Sequence, residues 1–171
     1  MYKHVFDLDN TLVFTDNLNS EAYNYALGIL GKEPLFDVGR ITRHIVYSKY
    51  SLSNHEKDIL VEAKQKYFLD HIEKIKANKD LVNLLLSLSS SECLLWTSAD
   101  KCRVEAILSY LNLTDAFSMV LYSNKANIKD DLESICLYFQ CLKSQLKFYE
   151  DDASVISKLK WLGIESFFKV D

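Results

Sequence analysis

The sequence predicts an α/β protein in which a Rossmann-like parallel sheet forms the core and a small α-helical cap domain is inserted into it. Short apolar segments typical of buried strands occur at the N-terminus and in the second half of the chain, where helical segments separate them. Such alternation indicates a parallel sheet with helices on both faces. Between the first strand and the others lies a block of roughly sixty residues with helical periodicity. We therefore assign residues 1–16 and 79–171 to the core and residues 17–78 to the cap domain.

The first half of the chain supplies one strand and the inserted helices. Val5-Phe6-Asp7-Leu8 is a short apolar run that stops at Asp9-Asn10, as expected for a buried strand with a polar end. Within the insert, apolar residues recur at helical spacing up to Gly31, which is placed as a helix stop. Ser53-Asn54-His55-Glu56 has the form of a capping box and predicts the start of a long helix. We expect helix throughout the insert.

The second half predicts four further strands, each preceded by a helical segment. They are Cys93–Trp96, Met119–Tyr122, Leu146–Tyr149 and Ser166–Val170. With the N-terminal strand they form one sheet of five strands in the simplest architecture.

The composition excludes several functional classes. The 171 residues suffice for one core with a small insert, and the formal net charge of −4 gives no reason to expect nucleic acid or an anionic membrane as a partner. We find no apolar run of about twenty residues and no signal-peptide pattern, so we expect a cytoplasmic protein. The four cysteines form no C-x-x-C pair, and we expect buried free thiols rather than disulfides or a zinc site.

Polar residues follow the predicted strands, and parallel strands bring such residues to one edge of the sheet, where ligands bind. The third strand leads to a segment with Lys125 and Lys129. The other residues expected at this edge are Asp7, Asp9, Thr11, Thr97, Ser98, Glu150, Asp151 and Asp152.

Carboxylates crowded in this way are costly unless a cation binds among them. Oxygen ligands suit Mg²⁺, which we predict as the cofactor, and a nearby lysine adds a second positive charge. A metal, an attacking carboxylate and fixed donors together indicate phosphoryl transfer. We expect Asp7 to be the nucleophile, and Asp9, which faces the same side, to be the general acid and then the general base. Thr97 and Ser98 precede a helix and are expected to bind phosphate.

Three motifs resemble the haloacid dehalogenase superfamily, in its small-helical-cap type that includes beta-phosphoglucomutase and phosphoglycolate phosphatase. Phe6-Asp7-Leu8-Asp9-Asn10-Thr11-Leu12 is similar to the family's D-x-D-x-T signature, and Leu94-Leu95-Trp96-Thr97-Ser98 to its second motif. Phe148-Tyr149-Glu150-Asp151-Asp152 resembles the fourth motif, and Gly163 follows Asp151 by twelve residues, as in the family. The resemblance implies a Mg²⁺-dependent phosphatase or phosphotransferase that acts through an aspartyl-phosphate on a small phosphorylated metabolite. It also implies Asp7, Asp9, Glu150 and Asp151 at the metal, and Thr11, Thr97 and Ser98 at the phosphate.

The third motif departs from the family pattern, which is a lysine followed by P-x-P and an acidic residue. Lys129-Asp130-Asp131-Leu132 resembles this motif with its intervening residues deleted, so we assign Lys129 and keep Lys125 as the alternative. Val155 stands where many relatives have an acidic residue or Gly, so Asp152 either replaces that ligand or caps the helix.

The insert contains a basic cluster formed by Arg40, Arg43, His44 and Lys49. We predict that it selects the substrate, with a solvated helix face as the alternative. Two other functions compete with phosphoryl transfer. A phosphoacceptor receiver domain would need a mid-chain Asp at the end of a strand, which residues 94–98 and 119–122 do not offer. A catalytically silent binding protein is favoured by the altered lysine motif and disfavoured by Asp7 and Asp9. The choice between hydrolase and mutase stays open, as do the substrate and the oligomeric state.

Overall fold

The computed structural model describes residues 1–36, 39–165 and 167–169. The chain divides into two compact units. The core unit contains Met1–Phe14 and Ala77–Asp171, and the helical unit contains Thr15–Lys76. These boundaries lie two residues before those assigned from the sequence, 1–16 with 79–171 and 17–78.

The regular elements alternate as the sequence predicts. The strands are β1 (Lys3–Phe6), β2 (Val13–Phe14), β3 (Lys76–Ala77), β4 (Cys93–Thr97), β5 (Met119–Tyr122), β6 (Leu146–Glu150) and β7 (Phe167–Lys169). The α-helices are α1 (Asp16–Ile29), α2 (Arg43–Lys49), α3 (Asn54–Asp70), α4 (Lys79–Ser87), α5 (Lys101–Tyr110), α6 (Ile128–Phe139) and α7 (Ala153–Trp161).

The core unit is built on a five-stranded sheet in the order β5-β4-β1-β6-β7. All four neighbouring pairs are parallel, so the predicted parallel sheet is confirmed. The last predicted strand was Ser166–Val170; of its residues, Ser166 and Val170 lie outside the described residues. β4 is buried along its whole length, as expected for a strand covered on both faces.

The sheet order determines where polar strand ends meet. β1 lies between β4 and β6, and all three strands run in the same direction. Pairing continues past the regular strands, because the Asp7 N–H donates to Tyr149 O (2.9 Å) and the Ser123 N–H donates to Thr97 O (3.0 Å). The residues that follow β1, β4, β5 and β6 therefore lie along one edge of the sheet.

The helical unit has its own apolar core, to which α1, α2 and α3 contribute. The predicted capping box opens α3: the Ser53 N–H donates to Glu56 (2.8 Å) and the Glu56 N–H donates to Ser53 (3.2 Å). Gly31 follows the end of α1 with φ of +64°, a left-handed conformation that glycine adopts at low cost.

The prediction of helix throughout the insert is wrong between α1 and α2. The described residues 30–36 and 39–42 contain no helix. Gly31 ends α1, and Pro34 has no N–H to continue a helical ladder. The side chain of Asn24 instead satisfies the backbone here, accepting from Leu35 N (2.8 Å) and donating to Leu35 O (3.1 Å). Two side-chain hydrogen bonds thus hold an extended connection.

The cysteines differ in exposure more than expected. Cys93 is buried, Cys136 and Cys141 are half-buried, and Cys102 is exposed at the second position of α5, so the expectation of buried thiols is wrong for Cys102. Within the described residues, none of the helices combines the length and the apolar character that a membrane crossing requires.

Candidate active site

Asp7 lies at the carboxyl end of β1, the central strand, with its side chain buried. Its Oδ1 atom is 2.6 Å from Lys125 Nζ, which is also 2.7 Å from Glu150 Oε2 at the end of β6. The exposed fractions of these three side chains are 8%, 9% and 2%. One ammonium thus bridges two buried carboxylates that come from neighbouring strands.

Lys125 is held in place by the loop that follows β5. Its φ of 57° is uncommon for a residue with a Cβ, and its N–H donates to Ser123 Oγ (3.0 Å). Asp131, on α6, accepts from Ser123 Oγ (2.5 Å) and from Trp96 Nε1 (3.1 Å). The Trp96 ring also lies under the ammonium, with Nζ 4.5 Å from the ring centroid. These contacts direct the Lys125 side chain toward Asp7.

The assignment of Lys129 to the site is wrong. Lys129 lies in the first turn of α6, its side chain is 65% exposed, and its Nζ is 3.9 Å from Glu133 on the same helix. In the family pattern counted from Lys125, the two proline positions hold Ala126 and Ile128. Without either proline the sequence signal is lost, and only the loop conformation shows which lysine reaches Asp7.

Burial and the charge of the ion-pair partner shift the pKa values of Asp7 and Lys125 in opposite directions. Burial raises the pKa of Asp7 to about 7; Lys125 opposes the rise and Glu150 adds to it. Burial alone would lower the pKa of Lys125, but the carboxylates of Asp7 and Glu150 outweigh burial and leave that pKa above its ordinary value. The ammonium therefore remains charged and compensates only part of the negative charge.

The carboxylates of Asp7, Glu150 and Asp151 can each offer an oxygen, and these oxygens lie within 4.8 Å of one another. Asp151 is exposed, and its Oδ1 accepts a hydrogen bond from the buried Thr11 hydroxyl (3.3 Å). Three carboxylate oxygens at an accessible edge match the hard, partly hydrated coordination of Mg²⁺. The predicted residues Asp7, Glu150 and Asp151 are thus together, and Thr11 joins them through Asp151.

Asp9 was also predicted to bind the metal, but its carboxylate makes a different contact. Asp9 Oδ2 lies 2.5 Å from Arg103 Nη2, and the two side chains are 8% and 10% exposed. In the described part of the chain, Asp9 does not belong to the carboxylate group formed by Asp7, Glu150 and Asp151. The prediction of Asp9 as a metal ligand through its side chain is therefore not supported by its position. Arg103 was missed because no motif marks it: it is one basic residue on a helix of mixed composition.

Thr97 and Ser98 lie at the end of β4, beside the site. The Thr97 hydroxyl is buried and accepts from Ala99 N (3.1 Å), whereas Ser98 is exposed. The N-terminus of α5 is capped by Asp100, whose side chain accepts from Arg103 N (3.1 Å). Neither Thr97 nor Ser98 caps α5, so Ser98 presents its hydroxyl to solvent at the strand end.

Asp152 caps a helix. Its Oδ1 accepts from Ser154 N (2.7 Å) and Val155 N (3.3 Å) at the start of α7. Partial burial would raise the pKa of Asp152, but these hydrogen bonds outweigh it and leave the pKa below its ordinary value. Of the two roles considered for Asp152, the structure supports the cap.

The basic residues of the helical unit are all exposed: Arg40, Arg43, His44 and Lys49. The last three lie on α2, and Arg40 Nε is 3.2 Å from Asp16 Oδ1. Their role in selecting a substrate stays a prediction.

Comparison with known proteins finds similarity in structure. No family model and no curated protein matches the sequence.

Three solved structures illustrate the structural similarity. A haloacid dehalogenase-like hydrolase from Streptococcus pneumoniae is 20% identical, with a TM-score of 0.71 over 96% of this chain and 83% of that one. A HAD hydrolase of family IA, variant 3, from Entamoeba histolytica is 18% identical, with a TM-score of 0.75 over 95% and 81%. A protein named as a predicted phosphoglycolate phosphatase from Haemophilus somnus is 16% identical, with a TM-score of 0.76 over 99% and 88%. The chain therefore has the haloacid dehalogenase fold, and the resemblance stated from its motifs is confirmed at the level of the fold.

Proposed function

We propose that this protein is a Mg²⁺-dependent phosphatase or phosphotransferase that acts on a small phosphorylated metabolite through an aspartyl-phosphate at Asp7. The observation that carries the proposal is the buried Asp7 carboxylate at a strand end, 2.6 Å from Lys125 Nζ and grouped with Glu150 and Asp151. Such a carboxylate is costly to bury, and perturbed carboxylates of this kind concentrate at functional sites.

The donor set supports Mg²⁺ as the cofactor. Asp7, Glu150 and Asp151 would hold it, because each offers a carboxylate oxygen within 4.8 Å of the others. When bound, Mg²⁺ neutralises negative charge on the carboxylates and on the transferred phosphoryl group.

The chain's own residues account for both half-reactions. In the first, an oxygen of Asp7 forms a bond to phosphorus while the bond from phosphorus to the leaving oxygen breaks, and Asp9 gives that oxygen a proton. In the second, water attacks the aspartyl-phosphate, Asp9 takes the water proton, and phosphate leaves with Asp7 restored. A phosphotransferase would use a substrate hydroxyl in place of water.

The remaining predicted residues are proposed to balance charge, bind the phosphoryl group or select the substrate. The Lys125 ammonium faces Asp7 and stabilises the charge that accumulates as phosphorus is attacked. Ser98, which is exposed, and its neighbour Thr97 are proposed to donate hydrogen bonds to phosphoryl oxygens. Arg40, Arg43, His44 and Lys49 are proposed to select the substrate. A cytoplasmic location is also proposed.

The competing proposal, a catalytically silent binding protein, rested on the altered lysine motif. Lys125 now supplies a lysine at Asp7 and Glu150, which removes that support. Phosphoryl transfer is the better explanation of the site.

The test is hydrolysis of p-nitrophenyl phosphate with and without Mg²⁺. We expect turnover that depends on Mg²⁺ and is lost in Asp7→Asn, while Lys129→Ala keeps wild-type turnover. Circular dichroism would verify that both variants fold. Turnover by folded Asp7→Asn at the wild-type rate would contradict the proposal. A panel of sugar phosphates, nucleotides and phosphoglycolate would then identify the substrate class.

A further inference from the structure

We propose that Arg103 is a positioning residue for Asp9: it holds the Asp9 carboxyl group where it can give a proton to the leaving oxygen and later take one from the attacking water. This inference rests on the proposed function, in which Asp9 is the general acid and base. It assigns a role to a residue on α5 that belongs to none of the sequence motifs.

The contact is close and buried. Arg103 Nη2 and Asp9 Oδ2 are 2.5 Å apart, and neither side chain is more than 10% exposed. A guanidinium and a carboxylate at this distance form a charge-assisted hydrogen bond, which is stronger and more directional than a neutral one. The direction of the Asp9 carboxylate is therefore restricted by a partner 94 residues away in the chain.

Both partners are fixed at the backbone. Asp9 lies in a tight turn in which Leu8 O accepts from the N–H groups of Leu12 (3.0 Å) and Val13 (3.1 Å). Arg103 lies in the first turn of α5, where its N–H donates to the Asp100 cap (3.1 Å). The ion pair thus joins two segments that are each held by backbone hydrogen bonds, one after β1 and one after β4.

Stability alone explains this pair poorly. Burying a guanidinium and a carboxylate costs desolvation that their attraction repays only in part, so well-packed apolar residues would serve a purely structural purpose. The contact does keep the carboxylates of Asp9 and Asp7 with different partners. Asp9 contacts Arg103. Asp7 contacts Lys125 and lies in the group with Glu150 and Asp151. Two carboxylates that are two residues apart are thereby given different partners and different tasks.

Loss of this restraint should affect one part of the reaction. A displacement of about 1 Å at a reacting group can cost about a hundredfold in rate. If Arg103 acts by placing Asp9, its loss should matter most when the leaving oxygen needs a proton, and least for leaving groups that depart as stable anions. Loss of a residue that only supports the fold would lower kcat for all substrates alike.

The experiment measures kcat and KM for a series of aryl and alkyl phosphates with leaving groups of graded basicity, at saturating Mg²⁺. The proteins are wild type, Arg103→Met, Arg103→Lys, Asp9→Asn and the double variant. We expect Arg103→Met to lose about ten- to a hundredfold in kcat for the most basic leaving groups and less than about threefold for the least basic, with KM nearly unchanged. Arg103→Lys should recover part of the loss, since it restores the charge without the planar fork. In the Asp9→Asn background, Arg103→Met should change kcat by less than about threefold.

Three results would overturn the inference. They are equal losses across leaving groups, an undiminished loss in the Asp9→Asn background, or a rise in KM that exceeds the fall in kcat, which would indicate substrate binding by Arg103. If Arg103→Met does not fold by circular dichroism, the same comparisons with Arg103→Lys decide. An inactive wild type would overturn the proposed function itself, whereas all of these outcomes in an active wild type concern Arg103.

Discussion

The strand-end site of the core unit and the surface of the helical unit contain ion pairs of the same length in opposite surroundings. Lys125 Nζ lies 2.6 Å from Asp7 Oδ1, with side chains 9% and 8% exposed. Lys74 Nζ lies 2.6 Å from Glu21 Oε2, with side chains 42% and 45% exposed. The distance alone therefore says nothing about what an ion pair does. Burial determines the desolvation cost of the ion pair and whether the pair is better explained by stability or by chemistry.

The energetics differ for a physical reason. Water and salt screen the exposed pair, which therefore contributes little to the free energy of unfolding. The buried pair loses its hydration, and replacing such pairs by apolar residues often leaves stability unchanged or improved. Buried charge kept at an accessible edge is better explained by chemistry than by stability. Four measurements test this contrast.

The largest effect is expected from the buried lysine. Lys125→Ala should lower kcat about a hundredfold or more, as expected for the loss of one preorganised electrostatic partner. Lys129→Ala is the matched control, since it removes an exposed lysine from the same segment. Steady-state kinetics on an aryl phosphate decide the matter. A large loss in Lys129→Ala with little loss in Lys125→Ala would reverse the assignment made from the structure.

The next effect concerns the metal. Glu150→Gln and Asp151→Asn should each raise the Mg²⁺ concentration for half-maximal activity about tenfold, because each removes one charged ligand. Asp152→Asn should be milder, since Asp152 caps α7. The measurement is a Mg²⁺ titration of activity, supported by the rise in Tm that Mg²⁺ produces. If Asp152→Asn were the most damaging of the three, the assignment of ligands at the end of β6 would be displaced by one residue.

The third effect is on stability and its pH dependence without metal. Burial raises the pKa of Asp7 to about 7, so the folded protein binds a proton there that the unfolded chain releases. This contribution to the free energy of unfolding is fully present below the ordinary carboxyl pKa, and it is lost as pH rises through about 7. In EDTA, wild type should therefore lose more Tm between pH 5 and pH 8 than Asp7→Asn, by about 5–10 °C. Parallel curves of Tm against pH for the two proteins would show that Asp7 makes no such pH-dependent contribution to stability.

The smallest effect belongs to the exposed pair. A double-mutant cycle with Lys74→Met and Glu21→Gln should give a small coupling free energy that falls further in high salt. Urea unfolding of the four proteins measures it. A large coupling free energy that high salt leaves unchanged would show that exposure does not separate the two kinds of ion pair in this protein.

Much of the fold was predictable because it depends on local chemistry. The capping box at Ser53 and the helix stop at Gly31 need only neighbouring residues, and both are present in the structure. The connection after α1 was mispredicted because Pro34 and the side chain of Asn24 compete there with helical periodicity. Apolar periodicity does not report which backbone groups a side chain will satisfy.

The carboxylates of the site could be predicted from the sequence, because parallel strands bring their carboxyl ends to one edge of the sheet. Asp7 follows β1, Glu150 ends β6 and Asp151 follows it. The choice between Lys125 and Lys129 needed the tertiary structure, which also revealed Arg103. Lys125 reaches Asp7 through a left-handed backbone angle and contacts from Ser123, whereas four residues later the chain is already helical and directs Lys129 to solvent. Arg103 meets Asp9 because α5 packs beside the end of β1, an arrangement that depends on contacts across 94 residues and leaves no local signal.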